Sequence, residues 1–347
     1  SQISRRNETV PWPDRVWSSL NPLSILLLPL AAVFAMLAAT RRALYRTGIL
    51  RSRCFDIPVI VVGNITVGGT GKTPLVIWLA AHLRQQGWHP GIVSRGYGGR
   101  ARQWPQQVRA DSDPAAVGDE AVMLAATTGC PMSVGPDRPA AVEALLQHTD
   151  IDIIISDDGL QHYALARDLE IVVIDGERRL GNGLLLPAGP LREPPSRLAS
   201  ADIVVANGQS GEGEFAMTLS RPSVRSLHDD RPAAIGDFAG REVHAVAGIG
   251  NPQRFFDLLQ RAGIQVNPHP FPDHHAFRAQ DLIFPSGLPV LMTEKDAVKC
   301  RRLPCKRCWV VHVDARPDAS FVHRLNTALK EMTDGQKAPR HTGLPNL

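Results

Sequence analysis

Residues 61–74, Val-Val-Gly-Asn-Ile-Thr-Val-Gly-Gly-Thr-Gly-Lys-Thr-Pro, constrain this chain more than any other stretch. They leave an apolar β-branched run, Val59 to Val62, that reads as a buried strand. They cross a glycine-rich turn and end in Gly71-Lys72-Thr73 at the head of an amphipathic segment, Leu75 to Leu83. Strand, glycine loop and helix start together make a phosphate-binding architecture. Glycines let backbone N–H groups approach phosphate oxygens, and the helix N-terminus adds free donors and a positive dipole end. Gly68, Gly69, Thr70, Gly71, Lys72 and Thr73 are therefore the nucleotide-binding candidates. Lys72 can reach the β- and γ-phosphates, and the Thr73 hydroxyl suits Mg²⁺. The general pattern G-x-x-x-x-G-K-[ST] would put a glycine at 66, where this chain has Thr66. Gly-Lys-Thr in this strand-to-helix setting still points to nucleotide phosphate rather than to a structural turn.

The 347 residues leave room for two domains and a sizeable core. Apolar strands recur at Pro90 to Ser94, Ile151 to Ser156, Leu169 to Ile174 and Ala201 to Ala206, with helices expected over Asp119 to Thr128 and Pro139 to Gln147. Repeated βα units imply a mostly parallel sheet with helices on both faces. After a polar connector, new strands are expected at Val243 to Ala247 and Pro289 to Met292, around a helix from Gln253 to Ala262. The expected fold is α/β, a P-loop NTPase-like sheet plus a smaller α/β C-terminal domain and an N-terminal membrane-associated helix. The expected boundaries are an arm at 1–50, a P-loop domain at 51–215, a connector at 216–235, the smaller domain at 236–332 and a flexible tail at 333–347.

Charge is unevenly placed. Residues 1–56 hold eight arginines against Glu8, Asp14 and Asp56, a net of +5 in a chain of net +4, so the remainder is near −1. A near-neutral body argues against nucleic acid, and a basic arm suits anionic lipid. Between Arg15 and Arg41 the arm carries an uncharged apolar run centred on Leu23 to Ala39. It could lie in one leaflet, span the membrane once, or be a buried hydrophobic helix. Pro29 and the many alanines weaken the spanning reading, and arginines at both ends leave orientation open.

Ligands of such sheets sit at the carboxyl ends of strands. Ile151 to Ser156 runs into Asp157-Asp158-Gly-Leu-Gln-His162. A carboxylate there suits the Mg²⁺ of a P-loop enzyme; the alternative is a helix cap. His162 either contacts a ligand or closes the turn. Asp119-Glu120 opens a helix, as a cap or as a base beside a metal-binding carboxylate. Ser94-Arg95-Gly-Tyr-Gly98 binds phosphate or makes a turn, and Arg138 faces the nucleotide or a surface carboxylate. Gly181 to Glu193 is a long apolar loop, a candidate lid or acyl-chain contact. Five cysteines do not form a secreted-type disulfide framework. Cys300, Cys305, Cys308 and His312 could be imagined as a zinc site, but basic residues separate the cysteines and a reduced compartment fits better.

Taken in order, these motifs resemble the tetraacyldisaccharide 4'-kinase family, the lipid A 4'-kinases of Gram-negative bacteria. The matching residues are Gly63-Asn64, Gly68 to Pro74, Ser94 to Gly98, Gly118-Asp-Glu120, Gly135-Pro-Asp-Arg138, Asp157 to His162, Gly181-Asn-Gly183, Leu186 to Glu193, Asp273-His274 and Met292 to Val298. The resemblance implies transfer of the ATP γ-phosphoryl group to the 4'-hydroxyl of a tetraacyldisaccharide 1-phosphate, giving lipid IVA, at the cytoplasmic face of the inner membrane. It implies Asp119 as base, paired with His274, and Lys72 on the phosphates. Thr73, Glu120 and Asp157 or Asp158 would hold Mg²⁺, and Asn64, Arg95, His162 and Glu193 would contact the acceptor. The implied partners are the acylated disaccharide phospholipid and an anionic membrane surface, with no nucleic acid and no obligate protein partner. A membrane-associated nucleotide-switch ATPase is the rival reading; it leaves the Leu186 to Glu193 loop and His274 unexplained.

Overall fold

The structure, a computed structural model, describes residues 16–335. The arm's Arg5, Arg6, Glu8, Asp14 and Arg15 lie outside the described residues, as does the tail beyond 335.

Near the start of the described chain stand the short helix α1 (Pro22–Leu26) and the 19-residue helix α2 (Leu28–Arg46). Pro29 falls in the first turn of α2, where a missing N–H costs nothing. Only Ala31 of α2 is buried, while Leu30, Val33, Met36 and Leu37 are at least half exposed. The buried-helix reading of the arm therefore fails. At 19 residues α2 is long and apolar enough to cross a membrane.

A nine-stranded sheet follows. In chain order its strands are β1 (Val59–Gly63), β2 (Pro90–Ser94), β3 (Gln106–Val108), β4 (Met132–Val134), β5 (Ile153–Asp157), β6 (Leu169–Asp175), β7 (Ile203–Asn207) and β8 (Phe215–Leu219), with one late strand added. Their spatial order is 8-7-6-1-5-2-4-3, parallel except at β3. Every residue of β1, β2, β5, β6 and β7 is buried, as both-face coverage demands. On one face, α3 (Lys72–Gln85) and the helix from Asp119 to Thr128 pack Leu75, Leu79, Leu83 and Leu124 onto the sheet. A four-residue turn, α4 (Pro114–Val117), precedes that helix, which is α5. On the other face α6 (Arg138–His148) contributes Ala141, Val142 and Leu145.

The smaller body is a six-stranded sheet. It contains β9 (Ser223–Ser226), β10 (Pro232–Ala234), β11 (Glu242–Ala247), β12 (Gln265–Pro270), β13 (Val290–Thr293) and β14 (Cys308–His312), in the order 10-9-14-13-11-12. Helix α7 (Pro252–Arg261) covers one face with Phe255, Phe256 and Leu259. Helix α8 (Glu294–Cys300) covers the other with Ala297 and Cys300.

Two expected boundaries are corrected. Residues 216–235 are not a bare connector: β8 extends the large sheet, and β9 and β10 begin the small one. Their polar composition hides edge strands that pairing, not burial, holds in place; in β9 only Val224 is buried. The chain also returns to the large body. Strand β15 (Ala315–Pro317) pairs antiparallel with β8, and α9 (Ala319–Gly335) buries Phe321, Leu325, Ala328 and Leu329 in the first core. Residues 333–335 thus continue a helix, and the stretch 315–332 belongs to the large body.

The cysteine reading also changes. Cys305 and Cys308 form a disulfide across a short turn, with Cα atoms 5.6 Å apart. Among the described residues no cluster of three or more His, Cys, Asp or Glu is arranged for a metal. Cys54 is exposed, whereas Cys130 and Cys300 are buried, and burial pushes the Cys300 thiol up to about 12. Alkylation of the native, unreduced protein at pH 8 is therefore expected to modify Cys54 alone. Mass spectrometry after reduction should add Cys305 and Cys308.

Candidate active site

The carboxyl ends of β2, β5, β6 and β7 and the loop after β1 open into one cleft of about 2620 Å³. Its walls come from the large sheet, from the C-terminal half of α2, and from the small body.

Gly68 to Thr73 line the cleft. Gly71 sits at φ +94° before α3, and a Cβ there would meet Asn207 Nδ2 at 2.6 Å, so the position admits only glycine. Asn207 Nδ2 donates to the Thr70 carbonyl at 3.3 Å. Thr66 bridges Leu191 in antiparallel pairing, and Val67 N donates to the Pro190 carbonyl at 2.8 Å. The Leu186 to Glu193 loop thus braces the phosphate loop from outside. Two arginines absent from the sequence reading also reach it. Arg178 and, from the small body, Arg254 donate to the Gly69 carbonyl at 3.1 and 3.2 Å, and both pair with Asp175 at the end of β6.

Lys72 Nζ donates to Asp158 Oδ1 at 2.7 Å and to Asn64 Oδ1 at 2.9 Å. Asn64 is fully buried, so it orients Lys72 rather than lining the cleft. Burial alone would raise the Asp158 carboxyl, but Lys72 and Arg192 hold it well below the usual carboxylate range. Arg192 Nη1 lies 3.3 and 3.2 Å from its two oxygens. Asp157 differs. Burial, reinforced by the Asp158 charge, pushes its carboxyl up to about 7, and its Oδ1 has no hydrogen-bond partner among the described residues.

Arg138 does not reach the cleft. It is 1% exposed and donates to the carbonyls of Gly135 and Asp157 at 2.9 and 3.1 Å, so it props the Asp157 backbone from behind. Glu193 lines the cleft, but its carboxylate is committed to Gln161 at 2.7 Å, Tyr163 at 2.8 Å and Arg197 at 3.3 Å. Arg95 and His162 do line the cleft. Burial, with Arg138 and Arg95 nearby, lowers the His162 imidazole to about 3, so it is neutral at pH 7.

The small body supplies the opposite wall. His274 Nδ1 lies 3.0 Å from both oxygens of Asp119. An Nδ1–H donated to that carboxylate leaves Nε2 as an acceptor. Asp119 is 3% exposed and sits behind His274, which lines the cleft. His274 holds φ +59°, a left-handed backbone that costs a non-glycine residue about 1–3 kcal/mol and clusters at functional positions. Next to Asp119, Glu120 pairs with Lys295 at 3.2 Å, and Lys295 also meets Asp273 at 3.0 Å. Burial would lower the Lys295 ammonium, but Glu120, Asp119 and Asp273 together raise it above the ordinary lysine value. Asp175 could have been found from the sequence, since it ends an apolar strand. Arg254 could not, because its partners lie on the other body; Lys295 falls inside the Met292 to Val298 motif, but nothing local to it marks its pairing with Glu120 across the bodies.

The family model described as LpxK, tetraacyldisaccharide-1-P 4'-kinase, matches residues 23–330. A tetraacyldisaccharide 4'-kinase of Nitrosococcus oceani is 52% identical over 317 residues, covering 91% of this chain and 94% of that protein. One from Pseudomonas aeruginosa (strain UCBPP-PA14) is 46% identical over 319 residues, covering 91% and 96%. The crystal structure of LpxK from Aquifex aeolicus in complex with ATP superposes with a TM-score of 0.76 at 27% identity, covering 89% of this chain and 99% of that one. The family match begins within the arm and spans both bodies. By sequence and by fold, the chain belongs to the tetraacyldisaccharide-1-P 4'-kinase family.

Proposed function

We propose that this chain transfers the γ-phosphoryl group of ATP to the 4'-hydroxyl of a tetraacylated disaccharide 1-phosphate, forming lipid IVA in lipid A biosynthesis. One observation carries the reading beyond family membership: the phosphate loop of the large body and His274 of the small body face one cleft, with Asp119 paired to His274 from behind. Phosphoryl transfer is mostly positioning and charge neutralisation. Lys72 and the loop amides bind the ATP phosphates. Arg95 is exposed in the cleft and meets anionic oxygens. The Asp119–His274 pair takes the proton of the acceptor hydroxyl, with Asp119 orienting and supporting the imidazole.

The residues present also fit Mg²⁺. Asp157 Oδ1 is buried and unpartnered, and its raised carboxyl is relieved by a nearby cation. The Thr73 hydroxyl and Glu120 line the same cleft, and Mg²⁺ commonly takes one or two carboxylates plus nucleotide phosphates. Asp158, held by both Lys72 and Arg192, is a poorer ligand than Asp157, and Glu120 would share its carboxylate between the metal and Lys295. Bound Mg²⁺ would neutralise charge on the phosphates.

The acceptor's acyl chains place it in a leaflet. Helix α2 presents Leu30, Val33, Met36 and Leu37 outward, and Arg41 and Arg42 line the cleft at its C-terminal end. This suits attachment at the cytoplasmic face of the inner membrane, with arginines at the headgroups. Deleting residues 1–40 removes this apolar surface and three arginines. Glu8 and Asp14 go with them, so the net charge lost is +1, worth about 1 kcal/mol at an anionic surface; the lost apolar face carries most of the effect, and partitioning onto anionic vesicles should fall by at least about 10²-fold. ATP binding, measured by calorimetry, should persist. Full retention on vesicles would show that another surface anchors the protein.

The direct test incubates purified protein with γ-labelled ATP and the lipid A precursor. Label recovered at the 4'-position is expected. ATP hydrolysis without labelled lipid would overturn the kinase reading in favour of a nucleotide switch.

A further inference from the structure

Behind the Asp119–His274 pair lies a buried cation that the proposed transfer does not use. Lys299, in the last turn of α8, has a side chain only 9% exposed. Its Nζ stands 2.8 Å from Asp296 Oδ1 and 3.5 Å from Asp119 Oδ2, as ion pairs outside hydrogen-bond geometry, so charge rather than a directed hydrogen bond joins it to them. The ammonium also sits over the Phe277 ring, 5.1 Å from its centroid. Burying an ammonium is expensive unless it is paired, so its position reflects its two carboxylate partners.

Asp296 is itself fixed. It is fully buried, and its Oδ2 accepts from Gly248 N at 3.0 Å and from the Thr293 hydroxyl at 2.7 Å. These donors stand at the carboxyl ends of β11 and β13. A chain of contacts therefore runs from the frame of the small sheet through Asp296 and Lys299 to Asp119 on α5 of the large body. Lys295 and Lys299 are four residues apart and share one face of α8. That face meets the adjacent acids Glu120 and Asp119, one lysine to each. His274 and Lys299, both from the small body, hold the same carboxylate of the large body.

We infer that Lys299 is a positioning residue for phosphoryl transfer: backed by Asp296, it fixes the Asp119 carboxylate against His274 when the two bodies are docked. This rests on the Asp119–His274 reading above. Without the ammonium, Asp119 and Asp296 become neighbouring buried carboxylates with no counterion between them, and the His274 ring loses a fixed partner.

The experiment compares Lys299→Met, Lys299→Arg, Asp119→Asn and the Lys299→Met/Asp119→Asn double variant. It reads kcat and KM for ATP and for the lipid acceptor, with thermal unfolding alongside. Misplacing a reacting group by about 1 Å costs about 10²-fold, so Lys299→Met should lower kcat by that order while KM for ATP holds. Lys299→Arg should recover part of the loss, since it keeps the charge but not the shape. The double variant should be no slower than Asp119→Asn alone, because the lysine acts through that carboxylate. If Lys299→Met does not fold, Lys299→Met/Asp296→Asn removes the orphaned buried charge and carries the same comparison. Normal turnover in the Lys299 variants beside a slow Asp119→Asn would overturn this inference alone. Multiplicative losses in the double variant would also overturn it. Normal turnover in Asp119→Asn would overturn the base reading and this inference with it.

Discussion

Lys72→Ala is expected to lose phosphoryl transfer by at least about 10²–10³-fold, the order seen when one preorganised charge-stabilising donor is removed. The structure says why the loss should be chemical. Lys72 heads α3 at the mouth of the cleft, and its ammonium is the link between the phosphate loop and the end of β5. Removing it does not orphan Asp158, which keeps Arg192 at 3.2 Å. Nor does it empty a packed core, because the partners of Lys72 are Asn64 and Asp158. The buried Asn64 Oδ1 loses its donor, so the thermal midpoint should fall modestly while the protein stays folded, and label transfer to the lipid precursor should drop by that factor. Near-parental turnover in a well-folded Lys72→Ala protein would remove the phosphate loop from the reaction.

Asp119→Asn is expected to cut turnover by about 10²–10⁴-fold with little change in ATP affinity, because the imidazole loses the carboxylate that orients it and supports its charge and the pair no longer works as a base. Asparagine keeps the size and can still accept from the Glu120 N–H, now 2.9 Å from Asp119 Oδ1. It cannot support a protonated imidazole. His274→Ala should resemble it, and the double variant should be little slower than either single one, because residues acting as a unit are non-additive. Losses that multiply would mean that the two side chains act separately. Single-turnover measurements would tell chemistry from product release.

The parallel core was legible because strands buried on both faces are continuous apolar runs. Pro90 to Ser94 and Asp119 to Thr128 stand at their expected limits. The edges were not legible. Strands β3 and β10 are three residues long, and β12 carries two prolines at the margin of its sheet. Such segments gain order from a neighbour's backbone, which leaves no pattern in their own side chains. The site divides the same way. The phosphate loop and the Asp157-Asp158 turn are local motifs. Asn64, Arg138 and Glu193 sit inside motifs too, yet burial turns each into scaffolding for Lys72, Asp157 and the loop that carries Glu193. Lys299 lies 180 positions from Asp119, and nothing local to either marks their meeting.

The return of the chain through β15 and α9 makes the small body an insertion, tethered by two crossings rather than one. The crossings run side by side. Ser220 N donates to the Asp314 carbonyl at 2.7 Å, and Asp314 N donates to the Ser220 hydroxyl at 2.9 Å. A panel hung on a single cord can spin freely. One hung on two straps pinned together swings about one line and returns to the same place. His274 meets Asp119 far along the chain from that line, so the two pinned crossings help fix the register in which the small body presents His274 to Asp119. Lengthening either strap would loosen that register without touching a residue in the cleft.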